Sequence, residues 1–228
     1  MEPGPEQDYQ DYTAPQRSGA ALLTINAQVD FLQPDSPLRT KGMQTARPAV
    51  KRLVQGFREY DLPIVHCVRL YRPDGSNVDI SRRHMVEEGL RVLMPGTKGA
   101  ELAPDVAPEG APRLTPEALL AGEFQELASR EWAMYRPRWG TFHGTGLEAH
   151  LKQLGVTTLV ICGFNFSTSG RATLYEGGAR DFRLVLASDA VSNAEEEGLK
   201  ELGRIGVYLM DVDHCLNWLA GVGERAAT

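Results

Sequence analysis

Residues 20–31 read AALLTINAQVDF, and this stretch decides the fold. Ala20–Ala27 is a short apolar run with β-formers, the pattern of a strand covered on both faces. Similar runs recur at Leu62–Val68, Glu131–Tyr135, Thr158–Phe164, Arg183–Ser188 and Val207–Asp211. Segments of helical spacing lie between them. Ala49, Leu53, Val54 and Phe57 form one face behind Pro48, which suits a first helical turn. Thr145–Glu148 and Ser192–Glu195 read as capping boxes, ahead of Leu147, Leu151 and Leu154 and of Leu199 and Leu202. Strand alternating with helix predicts an α/β fold, with six strands in a parallel sheet and helices on both faces.

In such sheets ligands bind outside the carboxyl ends of the strands. The segments to inspect are therefore 26–31, 69–77, 136–145, 164–171 and 189–193. The first has none of the glycines of a G-x-G-x-x-G turn, which argues against a dinucleotide site. A P-loop and a G-x-S-x-G nucleophile elbow are also missing. Residues 72–128 break the alternation with six prolines. Helices are expected there around Ser81–Leu93 and Pro116–Leu127, within an excursion that forms a lid or pocket wall over the strand ends.

The chain has 228 residues, 42% hydrophobic and 24% charged, with a net charge of −6. That composition supports a packed core and argues against nucleic acid as a partner, which calls for a basic face. No apolar run approaches the ~20 residues of a membrane span. Cys67, Cys162 and Cys215 make an odd set without zinc spacing. The acidic, proline-rich start lacks the apolar region of a signal peptide, so a cytoplasmic protein is expected. The expected organisation is a flexible arm over residues 1–18, one domain over 19–220 and a tail over 221–228.

Five collinear segments carry a resemblance. They are Asn26-Ala-Gln28-Val-Asp30-Phe31, Pro95-Gly-Thr-Lys-Gly-Ala-Glu-Leu102, Arg136-Pro-Arg138-Trp139-Gly-Thr-Phe-His143-Gly-Thr-Gly-Leu147, Gly163-Phe164-Asn165-Phe166-Ser-Thr-Ser169 and Asp189-Ala-Val-Ser192. Together they resemble the isochorismatase-like hydrolases, the cysteine hydrolase superfamily of nicotinamidases and N-carbamoyl amidases. The resemblance implies a three-layer αβα fold around a six-stranded parallel sheet. It also implies a cis peptide near Phe164–Asn165. Its chemistry uses a cysteine that attacks a carbonyl, an aspartate that takes the proton and a lysine that supports charge.

All three positions are changed. The aspartate position carries Asn26, the lysine position Arg136 and the cysteine position Ser169. An amide cannot take a proton as a carboxylate does. Arginine stays charged, and a serine hydroxyl is a poor nucleophile without an adjacent base. Asp30 and His143 are the candidate substitutes for the base. A vinyl-ether route that needs no cysteine is equally hurt by the loss of the acid at position 26. Gln28, Asp30, Phe31, Arg138, Trp139, His143, Phe164, Asn165 and Phe166 are the expected ligand-binding residues around an anion-friendly pocket. Backbone donors at Ser167–Gly170 are expected to add to it. His66 and Cys162 read as core.

Three readings stand. One is hydrolysis of a small carbonyl or carboxylate metabolite by a non-thiol route. Another is a catalytically silent binding or assembly protein, and the third is an amidase inactivated at its nucleophile. No cofactor and no metal is expected, because no Asp-x-His pair with a later His appears. A small, anionic ligand is expected as partner, and the resemblance implies a homo-oligomer.

Overall fold

A computed structural model describes residues 11–222. The order of elements is β1 (Ala20–Ile25), α1 (Val29–Leu32), α2 (Met43–Glu59), β2 (Ile64–Val68), α3 (Arg83–Glu87), α4 (Pro116–Leu120), β3 (Gln125–Ala128), β4 (Glu131–Tyr135), α5 (Leu147–Gln153), β5 (Thr158–Gly163), α6 (Arg171–Gly178), β6 (Arg183–Val191), α7 (Glu196–Arg204), β7 (Val207–Met210) and α8 (Val212–Leu219). The sheet runs β3-β4-β2-β1-β5-β6-β7. Six strands are parallel, as the sequence predicts. The seventh, β3, is antiparallel to β4 at the edge. Its residues Gln125–Ala128 are mostly half-buried or exposed, so they lack the apolar run of the other strands, and they overlap the helix expected over Pro116–Leu127. That helix stops at Leu120, and the one expected at 81–93 is confined to Arg83–Glu87.

β1 is buried along its whole length because both faces are covered. Ala20 and Leu22 pack with Val50, Leu53 and Phe57 of α2 and with Cys215 and Leu219 of α8. Ala21, Leu23 and Ile25 face Leu147 and Leu151 of α5 and Leu174 of α6. Alternate residues of one strand thus anchor the two helical layers.

Three local expectations need correcting. α2 begins at Met43, so Pro48 lies inside it; left-handed Gly42 (φ 80°) sets the start instead. Ser192 does not cap α7. β6 runs on to Val191, the Ser192 hydroxyl bonds with Thr40 Oγ1 at 2.7 Å, and α7 starts at Glu196. Thr145 Oγ1 donates to the Thr141 carbonyl at 2.7 Å and accepts from Leu147 N at 3.4 Å, while Glu148 pairs with Lys152 and Arg180 rather than closing a box.

Residues 1–10 of the expected arm, and 223–228 of the expected tail, lie outside the described residues. Residues 11–18 are not free: Gln16 N donates to Thr158 Oγ1 at 2.9 Å, Arg17 reaches the Leu219 carbonyl and Tyr208 bonds Asp11. The excursion lies across the end of β1. Val29 N donates to Glu101 O, Ala103 N to Ala27 O and Leu93 N to Asp30 Oδ2. Its leucines 102, 114 and 119 form a further core against Val68 and Ala133.

Candidate active site

β1, β4 and β5 end on the same side of the sheet, and their next residues build the centre. Asn26 follows β1 in the left-handed region (φ 56°), which Asn tolerates better than most side chains. Its Nδ2 donates to the Phe164 carbonyl at 2.5 Å. Gly163 permits that approach. It has φ 111°, and a Cβ there would lie 2.2 Å from the Ile25 carbonyl oxygen. The Phe164–Asn165 peptide is cis. Ser169 sits in the π-helical turn Phe166–Gly170 that joins β5 to α6.

Arg136 binds these parts together. Its Nη2 donates to Asn26 Oδ1 and, at 3.1 Å, to Ser169 Oγ. Nη1 donates to the carbonyls of Arg138 and Trp139 at 2.5 and 2.9 Å. The residue is 1% exposed, and its Nε is buried without a partner among the described residues. Every oxygen it touches is neutral. Burial, and then the like charge of Arg69, press its pKa down to about 9. The group remains charged at neutral pH.

Arg69 differs because it has an anion. It is buried, forms an ion pair with Asp79 and donates to the Arg136 carbonyl at 3.2 Å. The sequence does not announce this pair. Arg69 does stand at a strand end, but nothing marks Asp79 within the excursion. A second overlooked network crosses β1, β2 and β4. Thr24 Oγ1 bonds His66 Nδ1 at 2.8 Å, and His66 Nε2 bonds Glu131 Oε1 at 2.6 Å. Arg58 also grips Glu131 with two nitrogens, at 2.6 and 2.8 Å. His66 is core, as expected, and Glu131 is the partner that lets it be so.

The other predicted residues divide into supports, core and rim. Gln28 spends its amide on the backbone of Arg69 and Ala100. The Asp30 carboxylate accepts from Leu93 N at 2.6 Å and fixes the excursion. Phe31, Phe164 and Phe166 are buried in the two main cores. Asn165 Oδ1 accepts from Ser167 Oγ and Asn193 Nδ2. Among the backbone donors expected at 167–170, Gly170 N is taken by the Asn165 carbonyl at 3.2 Å. Arg138, Trp139 and His143 are exposed and line a neighbouring groove. Ser169 Oγ has Arg136 as its one hydrogen-bond partner among the described residues. Cys67 and Cys162 are buried on β2 and β5, away from the nucleophile position, with their thiols pushed up, Cys67 to about 12.

A family model, the Isochorismatase domain, matches residues 20–211. A probable inactive nicotinamidase of Arabidopsis thaliana is 28% identical over 193 residues, covering 82% of this chain and 89% of that protein. The crystal structure of an isochorismatase family protein from Desulfovibrio vulgaris is 26% identical. It superposes with a TM-score of 0.75, covering 89% of this chain and 98% of its own. N-carbamoylsarcosine amidase from Thermoplasma acidophilum, at 20% identity and a TM-score of 0.67 over 85% of this chain and 96% of its own, shares the fold. With the ordered motifs, the sheet and this coverage, the chain belongs to the isochorismatase family of hydrolases.

Proposed function

We propose that this family member is catalytically silent as a hydrolase, its centre converted into a fixed polar plug. One observation carries the reading: the Arg136 guanidinium joins Asn26 Oδ1 to Ser169 Oγ from a buried position. A serine nucleophile has to pass its proton to a base. Here the hydroxyl meets a donor-only cation that occupies an oxygen lone pair. Neither candidate base is engaged with it, since Asp30 holds Leu93 N and His143 is exposed on the groove. The relative described as a probable inactive nicotinamidase supports the same view.

A second reading draws on the same 3.1 Å contact. In non-thiol hydrolysis of a small carbonyl or carboxylate compound, Ser169 would attack and Arg136 would stabilise the developing oxyanion. Asp30 or His143 would then have to swing to Ser169. Hydrolysis assays on a panel of small amides, with wild type and Ser169→Ala in parallel, separate the two. Silence predicts no turnover in either, whereas the serine route predicts turnover that the variant loses. A small anionic ligand, a homo-oligomeric state and a cytoplasmic location accompany both readings as proposals, the second of them open to light scattering.

A further inference from the structure

We propose that the groove beside the closed centre binds a flat aromatic monoanion. The groove holds about 690 Å³, within the ~300–1,000 Å³ range of small-molecule sites. Two apolar side chains stand open in it. Ile80 is 89% exposed and Trp139 is 40% exposed, making it the most open of the three tryptophans. Exposed apolar side chains that line a groove offer a ligand the apolar surface such sites use.

The charges select the ligand's sign. Asp79 is already paired with buried Arg69. Glu176 accepts from Phe142 N at 2.8 Å and lies against Gly140, where a Cβ would stand 2.2 Å from the carboxylate. Arg83 and Arg138 form no salt bridge among the described residues. Among the described residues Arg138 reaches only the carbonyls of Pro137 and Asn77. Two planar cations against one carboxylate leave the groove net positive, and a guanidinium fork suits a carboxylate. The Trp139 face supplies the stacking surface for a ring.

The inference rests on the silent reading in one respect, that the ligand lies outside the Asn26–Arg136–Ser169 centre. The two still share a turn, because the carbonyls of Arg138 and Trp139 accept from Arg136.

The test is isothermal titration of the full chain with 1-naphthoate and with its neutral counterpart 1-naphthalenemethanol, alongside tryptophan fluorescence. Saturable 1:1 binding of naphthoate with quenching is expected. The alcohol should bind at least about tenfold more weakly, and both the Arg83→Ala/Arg138→Ala double variant and Trp139→Ala should weaken naphthoate at least about tenfold. All three positions are exposed, and a circular-dichroism melt verifies each fold. No saturable naphthoate binding at millimolar concentration, equal binding of acid and alcohol, or indifference to the double variant would each overturn the proposal. Amide turnover with these binding results intact would instead remove the silent reading alone.

Discussion

Arg136 Nη2 donates to Ser169 Oγ across 3.1 Å, and the same nitrogen holds Asn26 Oδ1. Two positions at which the family implies proton acceptance and attack are thereby tied to one cation. The centre is held together by a charge that is buried with no carboxylate bonded to it among the described residues, an arrangement with a cost as well as a benefit.

Acid should act through a different network. Burial lowers the pKa of His66 and so disfavours its charged form in the fold, against the opposing pull of Glu131. Burial alone would raise Glu131, but its bonds to Arg58 and His66 prevail and bring it to about 2. His66 therefore contributes stability that is lost as pH falls below about 6.5. Glu131 contributes stability that is present above about 4.5 and lost as pH falls towards its folded value. Denaturation midpoints should decline in these two stages, and Glu131→Gln should shrink the second, leaving the share of Asp105 and the other carboxylates held below their ordinary values.

The three thiols are expected to be inert. Burial pushes Cys67 and Cys215 up to about 12 and Cys162 up as well. Native protein at pH 8 should leave Ellman's reagent unreacted, and three equivalents should appear after denaturation. Fast reaction of any one native thiol would place a nucleophile that the fold does not show.

Gly163→Ala tests the approach of β5 to β1. The added Cβ would meet the Ile25 carbonyl oxygen at 2.2 Å at φ 111°. A loss of about 2–4 kcal/mol in chemical denaturation is expected, since backbone atoms on both sides have to shift.

Six strands were legible as apolar runs, and β1, β2 and β5 among them are buried along their whole length between helices. β3 was not, because an edge strand with a half-exposed face carries little periodic signal. The centre was legible as three positions, since ordered motifs locate strand ends. Its closure was not. That Arg136 reaches both Asn26 and Ser169 depends on a side-chain path through the Arg138 and Trp139 carbonyls, which no spacing encodes. The partners of buried charges were hidden for the same reason. Asp79 lies in an irregular segment and Glu131 at the start of a strand, and only folding brings them to Arg69 and His66. The aromatics at 31, 164 and 166 read as pocket walls, but they serve the core that supports the centre.

The most direct test of the closed centre is steady-state hydrolysis of nicotinamide and N-carbamoyl amino acids. Wild type would be compared with Ser169→Ala and with the triple variant Asn26→Asp/Arg136→Lys/Ser169→Cys. The account predicts no turnover by wild type or Ser169→Ala, and measurable turnover once acid, shorter cation and thiol are all restored. Turnover by wild type that Ser169→Ala abolishes would contradict it.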